Sequence, residues 1–336
     1  MSTFDFEDTL NALPLPRLEN SCKLYLESVE AQLINEPDGK MSALNRQIFE
    51  RTKSIVNGFK KYEGEQLDKE FRQLMGNKKN WLEENWDHLY LSMRGSSALW
   101  INYGGPKKRY PLVTDVDDIQ IWNASLALTT LLEYWKLLRS NNYFPVDKTS
   151  KNEKLSMQQY RYIMNSCRIP RKGLDEYVNY FSTVNEKSNC PNHCVVLCNG
   201  RIYKIDIDGL SVAQTAELLK MTRELSYANG KGDGLAGMTF ADRDEWAEIR
   251  DFLISQSRRN CESFRLIESA LCCISLDPYR PRTREDMIWR ALFGDPSNRW
   301  ADKPNSYVLY ADGSFNSFCE HTKVDGLIHV IFFFIT

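Results

Sequence analysis

Two dipeptides do most to limit what this chain can fold into. In HCVVLCNGRIYKIDI, Asn199-Gly200 separates two β-rich runs, and in SYVLYADGSFNSFCEH, Asp312-Gly313 separates two more. Asn-Gly and Asp-Gly tolerate the positive φ angles of a tight turn, so each predicts a β-hairpin. Helical patterns lie before and between them. PLPRLENSCKLYLESVE sets Leu18, Cys22, Tyr25 and Val29 on one helical face after a proline-bounded start. ALNRQIFERTKSIVNGFKKYEGEQLDKEFRQLM reads as helix with a break expected at Gly64, QIWNASLALTTLLEYWKLLRS as a strong helix, and DRDEWAEIRDFLI and REDMIWRALFG as helices between the hairpins. The order is helices first, then strands and helices mixed, ending in a strand that delivers His321. That order predicts an α/β fold.

A length of 336 residues suits one large α/β domain or two of ordinary size. Its 43 basic and 45 acidic residues leave a net charge of −2, so bulk electrostatics call for neither nucleic acid nor an anionic membrane. The amino terminus, MSTFDFEDTL, is acidic and has the pattern of neither a secretory signal nor a mitochondrial presequence. The longest apolar run, VIFFFI near the end, is about a third of the roughly 20 residues that span a bilayer and reads as a core element. Nine cysteines without an export signal predict reduced thiols. Cys190, His193, Cys194 and Cys198 have a spacing loosely compatible with zinc. HCVVLC reads instead as a buried strand, with no second ligand pair downstream, and no metal is expected.

Other stretches carry plain expectations. Trp81, Trp86, Leu89, Tyr90 and Met93 recur at helical spacings in NWLEENWDHLYLSMR, a stripe usually buried in a core. NYGGPKKRYP reads as a loop, and NGKGDGLAG, which lacks the flanks of a dinucleotide fingerprint, as a flexible connector.

Four histidines are present, and His321 stands in the frame His-x-x-x-Asp-Gly with Asp325 and Gly326. A neutral imidazole can take a proton from a hydroxyl and return it to a departing group near neutral pH. The carboxylate four residues on can hold local geometry, and the glycine lets backbone pass closely. Cys319, two residues before the histidine, reads as a packed strand cysteine rather than a nucleophile.

The surroundings of that frame, GDPSNRWADKPNSYVLYADGSFNSFCEHTKVDG, resemble the active-site region of the choline/carnitine acyltransferase family, through Asn298-Arg299-Trp300 and Asp302-Lys303. LPLPRLENSCKLYLESVEAQL, NWLEENW, LYLSMR, SMQQYRYIMNSCRIPRKGLD and MTFADRDEWAEIRDFL resemble further family stretches in the same order. EYWKLLR and CPNHCVVLCNGR point toward its medium-chain, octanoyl-type, peroxisomal members. The resemblance implies a chloramphenicol-acetyltransferase-like half, a mixed sheet flanked by helices, over 76–336, preceded by an amino-terminal helical region over 1–75. It places His321 on the general base, Asp325 on the acidic position supporting it, and Tyr90 on a tyrosine lining the carnitine pocket. Met93 stands where some members have a second tyrosine.

By the same resemblance, the reaction is direct acyl transfer between coenzyme A and carnitine. It needs no cofactor beyond the coenzyme A thioester as substrate, no metal and no acyl-enzyme, and the full-length protein is expected to be a monomer. Members of the family run to roughly twice this length. The chain is therefore expected to be a truncated first half, lacking the oxyanion-stabilising hydroxyl, the residues holding coenzyme A phosphates and the arginine for the carnitine carboxylate, and to be inactive alone. Two alternatives stand beside this: a noncatalytic truncated form, and an acetyl-transferring member acting on choline or carnitine.

Overall fold

A computed structural model describes residues 3–34, 39–106, 117–140 and 146–329. Asn11–Asn85 forms one compact unit, and Met1–Leu10 with Trp86–Thr336 forms another. The smaller unit contains α1 (Leu18–Leu33), α2 (Ala43–Lys61), α3 (Glu63–Met75) and the start of α4 (Leu82–Leu91). Ser42 caps α2 by accepting from the Asn45 amide at 3.2 Å. Cys22, Phe49 and Val56 are buried between these helices, whereas Tyr25, placed on the same apolar face by its spacing, is exposed. The helical break falls at Tyr62 rather than at Gly64. Gly64 lies in the first turn of α3, where a Cβ would sit 2.8 Å from the Phe59 carbonyl oxygen, so it permits close approach instead of ending the helix.

The larger unit continues with α5 (Ser97–Trp100) and α6 (Ile119–Arg139). Strands β1 (Ser166–Ile169) and β2 (Glu176–Asn179) pair antiparallel, Ser166 opposite Asn179. A second, five-stranded sheet is built from β3 (Cys194–Cys198), β4 (Arg201–Ile205), β5 (Cys273–Asp277), β6 (Ser306–Tyr310) and β7 (Phe315–Ser317) in the order β4-β3-β5-β6-β7. Its central pairs β3–β5 and β5–β6 are parallel and its outer pairs antiparallel, so the sheet is mixed. Both expected hairpins form. Asn199 and Gly200 take φ of 52° and 72°, and Gly313 takes 78°, the left-handed backbone that their turns need. The chain crosses from β4 to β5 through α7 (Val212–Ala228), α8 (Arg243–Gln256) and α9 (Arg258–Ser269), and from β5 to β6 through α10 (Arg284–Phe293).

Parallel strands buried on both faces should read as continuous apolar runs, and CVVLC does, while CISLD is broken by Ser275 and Asp277, both buried and hydrogen-bonded. Because side chains alternate, Val196, Cys198, Ile274 and Leu309 join a core with Leu128, Leu131 and Trp135 of α6 and Leu219 of α7. Val195, Leu197 and Cys273 join a separate core with Trp246, Phe264 and Trp300. Helix α6 is apolar nearly all round, and Ala124, Leu128 and Leu138 are fully buried, which fits a helix covered on most sides.

Two further expectations need correction. The glycines of NGKGDGLAG press on the β3–β4 hairpin rather than forming a free connector. The Gly232 amide donates to Asn199 O at 2.8 Å, and a Cβ there would lie 2.4 Å from Gly200 O. The Trp-rich stripe is not core either, since no residue of α4 is buried and Leu89 is 60% exposed. The terminal VIFFFI run and the later part of NYGGPKKRYP lie outside the described residues.

Candidate active site

The family-like stretch 298–303 is a scaffold on which the His321 loop rests. Lys303 is 1% exposed and spends all three of its N–H donors on carbonyls, those of Ser166, Glu268 and Ala270, at 2.9, 2.9 and 2.7 Å. Its own carbonyl accepts from the Glu320 amide at 3.0 Å, fixing the residue before His321. Asp302 accepts from Arg243 at 2.6 Å and from the Trp246 indole at 2.8 Å. Asn298 accepts from the Gly200 amide at 2.9 Å, and Arg299 pairs with Asp277 at 2.6 Å. These charged residues are buried because each is paired and hydrogen-bonded.

Segment 103–106 lies along the edge beyond β7. The Tyr103 amide donates to Cys319 O at 3.0 Å, and the Cys319 amide returns a bond to Tyr103 O at 2.8 Å. A Cβ on Gly104 would lie 2.2 Å from Ser317 O, so glycine is required for this approach. Cys319 is fully buried, as a packed strand cysteine should be.

The three residues singled out in the sequence meet at the end of this edge. Tyr90 Oη lies 2.9 Å from His321 Nδ1. Asp325 Oδ1 lies 3.7 Å from His321 Nε2, an ion-pair distance once the ring is protonated rather than a hydrogen bond. Three aromatic rings enclose the imidazole. Tyr103 stands perpendicular to it with centroids 4.6 Å apart, Tyr90 lies at 5.5 Å and Trp86 at 6.1 Å. Trp86 also stacks on Tyr90 at 4.8 Å and donates its indole N–H to Thr322 O at 2.9 Å. Tyr103 is held at its hydroxyl by Val324 O, at 3.3 Å, and by His329 Nδ1.

Burial sets the electrostatics. It pushes the His321 imidazole below its ordinary value, and the opposing charge of Asp325 only partly offsets this, so the ring is neutral near pH 7. Burial, with Asp325 and Glu320 adding, raises the Tyr90 phenol, which stays protonated. The Tyr103 phenol is driven up for the same first reason. Glu320 is wholly buried and its carboxyl is raised by that burial, against the pull of Arg168.

Beneath the site lies a chain of buried charges. Arg168 and Arg243 each place Nε 2.6 Å from Asp175 Oδ2, and all three side chains are fully buried. Burial alone would raise Asp175, but Arg243 and Arg168 hold its carboxyl below the usual value. The sequence reading did not single out Trp86 as a site residue, nor Tyr103 or Arg168. A charge inside SCRIP, a strand that is otherwise buried, was the one available signal for Arg168.

Cys190, His193, Cys194 and Cys198 are not arranged as a ligand set. His193 Nε2 meets Leu266 O at 2.7 Å, and among the described residues no group of three or more His, Cys, Asp or Glu is placed to hold a metal ion.

The sequence model of choline/carnitine O-acyltransferases matches residues 13–334. The chain belongs to this family. Peroxisomal carnitine O-octanoyltransferase of Bos taurus is 34% identical over 340 residues, covering 98% of this chain and 53% of the relative. Human mitochondrial carnitine O-palmitoyltransferase 2 is 28% identical over 98% of this chain and 52% of its own length. Choline O-acetyltransferase of Gallus gallus is 28% identical over 96% and 51%. The chain thus spans about half the length of the curated acyltransferases it matches. The mixed α/β sheet fits a half-domain of such an acyltransferase.

Proposed function

We propose that this chain supplies the general base of a carnitine O-acyltransferase that moves medium-chain, octanoyl-type acyl groups between coenzyme A and carnitine. The observation that carries the reading is the His321 imidazole held between Tyr90 and Asp325 and covered by aromatic rings, in a chain of this family. With Nδ1–H donated to Tyr90 Oη, Nε2 carries the lone pair. It removes the proton of the carnitine hydroxyl as that oxygen attacks the thioester carbonyl, and returns the proton to the departing thiolate. The Asp325 carboxylate favours the imidazolium while it exists. The rings of Trp86 and Tyr90 offer π faces to a quaternary ammonium. The octanoyl preference, and action in peroxisomes, rest on the names of relatives such as the bovine and human octanoyltransferases.

The test is release of free thiol from octanoyl-CoA with carnitine or choline, run on the chain itself and on a chimera in which it replaces the matching half of the human relative. Carnitine-dependent release that falls about 10²- to 10⁴-fold in His321→Ala supports the reading. Release that ignores carnitine, persists in His321→Ala or prefers choline overturns it, as does a folded chimera without turnover.

A further inference from the structure

We propose that Arg168 is a positioning residue for His321. One buried guanidinium ties the end of α4, which carries Tyr90, to the loop that carries His321. Its catalytic consequence rests on the acyl-transfer reading, but its positional consequence does not.

The side chain reaches five acceptors on three segments at once. Nη2 donates to Tyr90 O at 2.9 Å and Met93 O at 3.4 Å. Nη1 lies 3.4 Å from Thr322 Oγ1 and 3.5 Å from Glu320 Oε1. Nε is anchored by Asp175 at 2.6 Å. The first pair of acceptors are carbonyls at the carboxyl end of α4, where helices leave acceptors unsatisfied and favour a cation. The second pair flank His321 on both sides. Glu320 and Thr322 are also bound to each other, through the Thr322 amide at 3.1 Å and its hydroxyl. The loop therefore presents one braced unit to the guanidinium.

Three other ties join the same segments, Tyr90 to His321 itself, Trp86 to Thr322 O and Lys323 to Asp87, and each involves a partly exposed group. Arg168 is 0% exposed and supplies the buried side of the joint. A planar fork spreads its N–H groups over three nitrogens and can face two separated segments, whereas a lysine gathers its three donors on a single nitrogen. Loss of the fork frees Tyr90 and His321 to move apart without removing either.

The experiment is NMR titration of the full chain labelled with ¹⁵N-histidine, with the His321 signals assigned from their loss in His321→Ala. The groups facing the ring are Tyr90, Tyr103 and Asp325, with Glu320 adjacent in sequence. In Arg168→Lys and in Thr322→Val the proposal expects the His321 midpoint to move up toward its free value by about half a unit or more, with its Nδ1 shift altered. The buried His193, near Leu266, should be unchanged and certifies the fold. Unchanged His321 signals in folded Thr322→Val overturn the proposal even where Arg168→Lys fails to fold. A displaced His321 titration, beside a folded chimera that shows no carnitine-dependent turnover, upholds Arg168 and removes the acyl-transfer reading instead.

Discussion

Tyr90 and His321 are 231 positions apart in the chain and 2.9 Å apart in space. The contact joins a helix end to a loop beyond a sheet edge, and it occupies one imidazole nitrogen, which on the proposed reading leaves the other to act as base. Tyr90→Phe keeps the stack on Trp86 but removes the hydroxyl. A neutral hydrogen bond of about 0.5–1.5 kcal/mol predicts a fall in kcat of roughly 2- to 10-fold with KM changed less. Steady-state kinetics check this, and wild-type kcat in Tyr90→Phe would remove the hydrogen bond from the mechanism.

The pH profile follows from burial. If His321 is the base proposed above it must be unprotonated, and its folded value lies below its ordinary 6.5, so kcat/KM should be half-lost at a pH below 6.5 and recover above it. Asp325 raises that value, so Asp325→Asn should move the acid limb to lower pH. The same change weakens support for the imidazolium and lowers the plateau. An upward move of the limb would mean that Asp325 does not act on His321 by charge.

Asp175 accepts from Arg94 as well as from Arg168 and Arg243, so three cations converge on one carboxylate. Asp175→Asn removes the carboxylate that two buried arginines share, leaving Arg243 to Asp302 and Arg168 to the more distant Glu320, and should cost about 3–5 kcal/mol in urea unfolding. The linkage has a definite sign. The folded carboxyl lies below its ordinary value of 3.8, so its contribution is present above that pH and is lost as pH falls through the lower folded value. Wild type should therefore lose stability steeply below about pH 4 where Asp175→Asn does not. Parallel acid titrations of the two proteins would contradict this.

Local features were legible in the sequence, and convergent ones were not. Asn199-Gly200 and Asp312-Gly313 announced their hairpins because positive φ is a demand of the turn alone. His321 and Asp325 could be paired because four residues separate them. Tyr90 was reached through family resemblance, and nothing in its own helix marks it, since Trp86 and Leu89 beside it looked equally apolar. Tyr103 and Arg168 matter only once β7 has received segment 103–106 and Asp175 has been folded against two arginines. The glycines of 230–237 misled for a related reason: a glycine needed for close backbone approach has the same sequence signature as one that loosens a loop.

Gly104 and Gly105 separate those two uses of glycine and test how the imidazole is covered. A Cβ at Gly104 would meet Ser317 O at 2.2 Å, while one at Gly105 meets nothing within 4 Å. Backbone cannot yield as a flexible side chain can, so Gly104→Ala must push segment 103–106 off the sheet edge and break the two bonds between Tyr103 and Cys319. Tyr103 would then withdraw from the ring it covers. Water would reach His321, and the burial that depresses its pKa would lessen, so its midpoint should rise toward 6.5. Gly105→Ala retains the bonds between residue 105 and Ser317, which use backbone atoms on the glycine side, and should leave the midpoint unchanged. Imidazole titration of the two variants checks this. Equal midpoints would show that Tyr103 does not supply the cover, and that the depression comes from Trp86 and Tyr90 alone.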